Sequence, residues 1–366
     1  MIKLSFFKNK RVLITGNTGF KGSWLSMWLH ELGAEVFGYS LDLPSKRNLF
    51  EDAKLQNDIK HFWGDVRNLD KISKLISDIK PNIIFHLAAQ AIVSESYNNP
   101  SDTFSTNVMG TCNILESLRD AQDECILVLI TSDKSYDNQE WIWGYKETDN
   151  LGGKDPYSGS KGAAELVIKS YFESFFIDSP IKLGVGRAGN VIGGGDWAKD
   201  RIIPDAFRAW ENKEAVSIRS PKSTRPWQLV LEPLSGYLNL AMALNEDKSI
   251  NGEAFNFGPS LDQDVNVETL ISHVHGSLGE DYFNFVPISL EEKEFIPESK
   301  LLKLNCEKAS NILNWKSTLD FKQLTKFVSQ WYEAALKNPS SSRDISREQI
   351  KEYSTIAKSK KVEWSQ

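Results

Sequence analysis

The 366-residue sequence predicts an α/β fold, a doubly wound parallel sheet followed by a smaller C-terminal α/β lobe. Short β-branched runs alternate with longer amphipathic stretches from residue 11 onward, the pattern of βαβ units with helices on both sheet faces. A glycine-rich turn joins the first run to the first amphipathic stretch. Beyond about residue 190 the texture shifts to Gly-rich, Pro-interrupted segments with shorter apolar runs.

In chain order, the strands expected are Arg11 to Thr15, Glu35 to Tyr39, Lys60 to Trp63, Ile83 to Leu87, Ile126 to Thr131 and Lys182 to Gly186. Six such strands fit a Rossmann-type sheet. After Lys21, the residues Trp24, Leu25, Trp28, Leu29 and Leu32 recur every three or four positions, which places one apolar stripe on a helix that Gly33 stops. Further helices are expected near Glu232 to Asn245 and Phe321 to Leu336. The division that follows is a nucleotide-binding unit over 1–190 and a substrate-binding lobe over 191–338, some of whose segments return to the first unit. Residues 339–366 are polar, carry a Ser triplet and read as a loosely held tail.

Composition narrows the function classes. With 40% hydrophobic, 25% charged and 11% aromatic residues, the chain has the make-up of a globular protein. A formal net charge of −6 supplies no overall attraction to nucleic acid or anionic membrane, so neither is an expected partner. Cys112, Cys125 and Cys306 are odd in number and widely spaced, which suits reduced thiols better than a disulfide framework or a metal site. His273 and His275 lie two apart without further ligands nearby, and no metal is expected. No signal-like apolar region opens the chain and no stretch reaches the roughly eighteen apolar residues of a membrane span, so the cytoplasm is the expected location.

The turn reads Gly16-Asn17-Thr18-Gly19-Phe20-Lys21-Gly22, a GxxGxxG between a strand and a helix. Gly16, Gly19 and Gly22, with Phe20 among them, form a turn that permits close backbone approach to a pyrophosphate, and the helix that begins after it offers N–H groups and a favourable dipole. Twenty residues past Gly22, Asp42 closes the next strand, where a carboxylate accepts hydrogen bonds from ribose hydroxyls. That favours NAD over NADP, although Lys46 and Arg47 are near enough to suit a 2′-phosphate. Further on, Tyr157 and Lys161 are four apart behind Pro156 and share one helix face. A cation beside a tyrosine eases loss of its proton, so this pair suits removal of a hydroxyl proton while hydride leaves the adjacent carbon.

Taken together, Thr15 to Gly22, Gly64-Asp65-Val66-Arg67, His86-Leu87-Ala88-Ala89, Thr106 to Thr111 and the Tyr157/Lys161 pair resemble the extended short-chain dehydrogenase/reductase family of NAD-dependent epimerases and dehydratases. The resemblance implies that Asp65 and Val66 contact adenine, that Ala88, Ala89 and Gln90 line the cofactor path, and that Asn107 supports the active-site hydrogen bonds. It also implies a homodimer formed through the helices carrying Asn107 and Tyr157.

A narrower likeness runs through Thr131 to Asn138, Glu140 to Tyr145, Arg187 to Trp197, Arg225 to Gln228 and Leu231 to Tyr237. These stretches are similar to the members of that family that act on CDP-glucose as 4,6-dehydratases. The implied reaction oxidises C4, removes water across C5 and C6, and returns hydride to C6. Such chemistry needs an acid for the departing oxygen and a base for the C5 proton. Ser132, Asp133 and Lys134 lie just beyond a strand, at the edge where an open parallel sheet binds ligands. Asp133 suits the acid; Lys134 suits either the base or an electrostatic role, since a lysine base needs its pKa lowered. Asn190, Arg201 and Arg225 occupy positions that hold the substrate diphosphate in similar enzymes, and Trp197 and the Trp141 to Tyr145 segment either contact the sugar or base or pack a loop. The chain departs from the pattern at Ser94-Glu95, where arginine is common, and at Glu298-Ser299-Lys300 in place of a His-containing stretch. A dehydratase or 4-epimerase for another nucleotide sugar is the competing reading, with a non-catalytic cofactor-binding scaffold further off.

Overall fold

Strand β1 (Arg11–Thr15) runs through the glycine turn into α1 (Phe20–Glu31), followed by β2 (Glu35–Ser40), β3 (Lys60–Trp63), α2 (Leu69–Ile79), β4 (Ile83–His86), β5 (Cys125–Ile130), α3 (Pro156–Tyr171) and β6 (Ile181–Arg187). The later part of the chain contributes α4 (Ile202–Glu211), α5 (Leu231–Glu246), β7 (Ala254–Asn256), α6 (Phe321–Lys337) and α7 (Ser342–Ser359). The structure is a computed structural model and describes residues 4–218, 220–261, 263, 265–279, 288–289 and 301–365. The departure noted around Glu298 lies outside the described residues.

The central sheet has the order β7-β6-β5-β4-β1-β2-β3, every neighbouring pair parallel. The register places Val12 beside both Val36 and Ile83, so the strand order reverses direction at β1. Helices cover both faces, which is why Val12, Leu13, Ile14, Ile83, Ile84 and Phe85 form unbroken apolar runs with no exposure. The six expected strands lie within a residue of their observed ends. The seventh, β7, comes from the C-terminal half and pairs with β6, Ala254 beside Val185 and Asn256 beside Arg187. Helix α3 starts where the sequence calls for it: Asp155 accepts from the Ser158 N–H and Pro156 occupies the first turn. All three cysteines are free thiols. No described helix is long and apolar enough to cross a membrane.

The expected loose tail is instead a packed helix. On α7 the charged residues face outward while Ser342, Ser346, Gln349, Ile350, Tyr353 and Ala357 are buried along one face. Tyr353 packs edge-on against Trp28 at 5.9 Å and stacks on Trp364 at 5.7 Å. Arg343 pairs with Asp58 at 2.8 Å and Arg347 with Glu31 at 2.7 Å. A three-residue-wide stripe on a mostly charged helix is easily mistaken for solvated chain.

The tail is fastened through Glu232 of α5. Its buried carboxyl accepts from the Thr318 N–H at 2.9 Å, the Leu319 N–H at 2.7 Å and the Tyr353 hydroxyl at 2.8 Å. Burial pushes its pKa up to about 7, and those donors together with Lys360 oppose the shift. An acid whose folded pKa stands above its unfolded value stabilises the fold fully below the unfolded value of 4.5, and that contribution is lost as pH rises through 7. The Tyr353 hydrogen bond strengthens over the same interval as the carboxyl ionises. Tyr353→Phe is therefore expected to lower unfolding free energy by about 1–3 kcal/mol at pH 8 and by less at pH 5, read from denaturant titrations. An equal loss at both pH values would contradict the assignment.

Candidate active site

The glycine turn is held rigid from below. Asn17 receives the Ser40 hydroxyl at 2.8 Å and meets His61 Nδ1 at 3.1 Å, while Thr18 donates to the Asp42 carbonyl at 2.7 Å. A Cβ on Gly22 would stand 2.1 Å from the Gly16 carbonyl oxygen, so only glycine lets α1 begin this close to β1. No side chain caps Gly19 at the start of α1. The cradle fits a pyrophosphate: a helix start without a side-chain cap follows a turn built on Gly16, Gly19 and Gly22.

Around it, the expected cofactor residues line up along the C-terminal edge of the sheet. Asp42 lies two residues beyond the end of β2 and is exposed. Arg47 turns away from it, lying over the Trp197 ring at 3.8 Å and pairing with Glu211 at 3.4 Å. It is thus engaged elsewhere rather than beside a ribose 2′ position. Asp65 accepts from the Arg67 backbone and side chain, both at 2.8 Å, and these bonds hold its carboxyl below the usual range against the opposing effect of burial. Val66 is buried, and its carbonyl accepts from Asn113 at 2.9 Å. Ala88, Ala89 and Gln90 follow β4. Asn107 braces this edge: it accepts from the Gln90 N–H at 2.8 Å and donates to Ser160 of α3 at 2.8 Å.

Ser132, Asp133, Lys134, Tyr157, Asn190, Arg201 and Arg225 converge on one cavity of about 390 Å³. Ser132 donates to Asp133 Oδ1 at 2.9 Å and Asn190 donates to Oδ2 at 3.2 Å. The carboxyl rests on bare backbone, for a Cβ on Gly189 would lie 1.8 Å from Asp133 Oδ2. Asn190 itself adopts φ 53°, the left-handed region that asparagine tolerates best after glycine. Arg201 is fixed by Asp196 at 2.9 Å, whose charge raises the guanidinium pKa.

Tyr157 and Lys161 are both buried. Burial raises the Tyr157 pKa; the Ser132 hydrogen bond and the Arg201 charge lower it but do not prevail, while Asp133 adds to the rise. Lys161 donates to the Ile130 carbonyl at 3.5 Å, and burial brings its pKa down to about 8, with Glu165 opposing. Desolvation thus outweighs the Arg201 charge on the phenol, contrary to the simple expectation that a neighbouring cation eases loss of its proton. Glu165, one turn beyond Lys161, pairs with Arg187 of β6, both side chains 4% exposed, and accepts from Thr131 at 2.6 Å.

Trp197 is a correction. It does not line the cavity but packs edge-on against Tyr332 at 5.1 Å beneath Arg47. The bend at Asp196, whose carbonyl accepts from Tyr332 at 2.5 Å, turns the ring into the core. The Trp141 to Tyr145 segment likewise packs a loop: Trp141 stacks on Tyr145 at 5.4 Å and Tyr145 on Tyr136 at 5.2 Å. His275 is buried against Trp210 at 5.1 Å. Sequence reasoning missed Lys21 and Gly189 as cavity residues, whereas Ser94, flagged as a departure from the pattern, does border the cavity. Ser94 donates to Asp200 at 2.8 Å across the cavity, linking the sheet domain to the segment before α4. A Gly directly before the Asn190 motif position was the available signal for Gly189.

Comparison with known proteins agrees with this geometry. The family model described as GDP-mannose 4,6 dehydratase matches residues 13–328. The chain is 45% identical over 342 residues to CDP-glucose 4,6-dehydratase of Salmonella typhimurium, covering 92% of this chain and 94% of the relative. It is 25% identical over 354 residues to CDP-paratose 2-epimerase of Salmonella typhi, covering 88% and 98%. Among solved structures, dTDP-glucose 4,6-dehydratase from Bacillus anthracis in complex with NAD has a TM-score of 0.74 at 20% identity, covering 92% of this chain and 99% of that one, a likeness of fold.

The buried pair beneath the site has a measurable worth. Glu165→Gln leaves the Arg187 charge without its counter-ion and is expected to cost about 3–5 kcal/mol of unfolding free energy. A loss under about 1 kcal/mol in a denaturant titration would mean that Tyr136 and the Glu147 carbonyl suffice to hold Arg187.

Proposed function

The chain belongs to the GDP-mannose 4,6 dehydratase family, and from that premise we propose that it is an NAD-dependent nucleotide-sugar 4,6-dehydratase converting CDP-glucose to CDP-4-keto-6-deoxyglucose, for deoxysugar and polysaccharide synthesis. The observation that carries this reading is Asp133, held by Ser132 and Asn190 in the same cavity as Tyr157. Simple oxidation or epimerisation has no use for a carboxyl at that place; loss of the C6 hydroxyl does. The substrate assignment is supported by the 45% identical relative.

When bound, NAD supplies the hydride acceptor for C4, the hydride donor for C6 and a positive charge near Tyr157. The glycine turn with Asp42, Asp65 and Val66 would hold its adenosine end, and Ala88 to Gln90 its path toward the catalytic residues. Tyr157 takes the O4 proton while Ser132 hydrogen-bonds the phenol. Lys161, buried below, stabilises the phenolate that burial alone disfavours. Asp133 assists the departing O6. Lys134, on the same wall, either removes the C5 proton or steadies the enolate that forms. Arg201, Arg225 and Asn190 hold the diphosphate.

A homodimer completes the proposal. The helical segments around Asn107 and α3 leave Tyr97, Phe104, Met109 and Leu166 exposed, Met109 by 50% and Leu166 by 59%, apolar side chains that a partner's matching helices would cover. The compartment we infer is the cytoplasm.

Incubation with CDP-glucose, UDP-glucose, dTDP-glucose and GDP-mannose in deuterated water, followed by mass analysis and NMR, is expected to show water loss and deuterium at C5 with CDP-glucose. Unchanged mass with inverted C4 would make the enzyme an epimerase. Tyr157→Phe and Asp133→Asn should each lower kcat by roughly 10²- to 10⁴-fold. In Lys134→Arg, normal C4 oxidation without C5 exchange would identify the base. Met109→Glu with Leu166→Glu should sediment as a monomer; an unchanged dimer would place the interface elsewhere.

A further inference from the structure

Tyr237 of α5 is completely buried, yet its hydroxyl has no hydrogen-bond partner among the described residues. Leaving a buried hydroxyl unpaired costs stability that phenylalanine, the same ring without the oxygen, would not lose. The ring itself is closely placed. A Cβ on Gly186 of β6 would stand 2.7 Å from its edge, and Phe257 meets it edge-on at 5.7 Å. Glycine at 186 thus lets the ring lie against the strand that leads, three residues on, to Gly189, and it is on the bare backbone of Gly189 that the Asp133 carboxyl rests.

The helix aims the hydroxyl toward the site. Because α5 leads into β7, which runs parallel to β6, it starts at the catalytic edge of the sheet and ends at the opposite one. Long side chains on a helix lean toward its N-terminus, here toward that edge. Among the described residues, the ionisable groups that bear on the hydroxyl are Tyr157 and Asp133; burial first, and then these two, raise its pKa, so Tyr237 stays a neutral donor.

Of those two neighbours, one is an anion when water leaves. By then Tyr157 has taken the O4 proton and is neutral. Asp133 passes its proton to O6, the C6–O6 bond breaks, and a carboxylate is left behind as water departs. Ser132 donates to one of its oxygens and Asn190 to the other, and each oxygen can accept a further bond. An O–H with no partner to give up turns toward the new charge without breaking a bond, and in a buried floor such a dipole acts strongly.

We propose that Tyr237 is a positioning residue for the elimination step, its hydroxyl stabilising the Asp133 carboxylate left when water departs from C6. The inference rests on the reading of the chain as a 4,6-dehydratase with Asp133 as the acid.

Single turnovers of the NAD-loaded enzyme with CDP-glucose test it, NADH absorbance following C4 oxidation and product mass following water loss. Wild type, Tyr237→Phe, Asp133→Asn and the double variant are compared. Tyr237→Phe is expected to oxidise C4 at about the wild-type rate, to lose water about tenfold more slowly, and to unfold at the same or a higher temperature. On the Asp133→Asn background the same substitution should change the rate of water loss by less than about twofold, because the group it acts through is gone. Water loss by Tyr237→Phe at the wild-type rate would overturn the inference. So would equal losses on both backgrounds, equal slowing of oxidation and water loss, or a lowered unfolding temperature, each of which marks a role other than support of Asp133. Turnover of CDP-glucose by the wild type without water loss, or no turnover at all, would instead overturn the reading on which the inference rests.

Discussion

One buried ion pair carries much of the architecture around the site. Arg187 ends β6, Glu165 lies on α3, and their contact fixes the catalytic helix against the sheet. The same guanidinium donates to the Tyr136 hydroxyl at 2.7 Å and the Glu147 carbonyl at 3.2 Å, and Tyr136 donates onward to Asn256 of β7 at 2.8 Å. Thr131 closes the network from the end of β5. Two charges removed from water are tolerable only when every remaining donor and acceptor is engaged, and here they are supplied from four separate chain segments. Moving any one of them would leave a buried polar group unpaired. The position of Tyr157 and Lys161 relative to Ser132 is thus set by electrostatics behind the site rather than by contacts within it.

In front of that network the site obeys a simpler rule. A parallel sheet ends all its strands on one edge, and the order reversal at β1 opens a groove there. Backbone without side chains does the shaping at two places, beneath the pyrophosphate cradle at Gly22 and beneath the Asp133 carboxyl at Gly189. The first lets α1 begin against the turn, and the second lets a carboxyl approach main chain more closely than any Cβ permits. The cavity wall sets Lys21, Lys134, Arg201 and Arg225 beside Asp133, Asp196, Asp200 and Asp205, so cations and carboxyls face the same space.

Most of the sheet was legible because a strand covered on both faces must be apolar throughout, and such runs stand out between amphipathic helices. β7 was not: three residues with one large apolar side chain, Phe255, become a strand only by pairing with β6. The α7 stripe was hidden by its charged majority. The Tyr157/Lys161 spacing, the glycine turn and Ser132 to Lys134 could be read because their chemistry depends on local order along the chain. Trp197 could not, since a ring in a glycine-rich bend can turn either way and only Tyr332 and Arg47 settle which. Lys21 was obscured by the motif that contains it, where the glycines draw the attention.

The last helix of the chain lies against the first. Trp28 of α1 meets Tyr353 and Trp364, and Glu31 meets Arg347. During synthesis on a ribosome, the nucleotide-binding half emerges early, but this side of α1 stays bare until α7 clears the exit tunnel, so a chain cut anywhere before α7 carries an uncovered tryptophan on its first long helix.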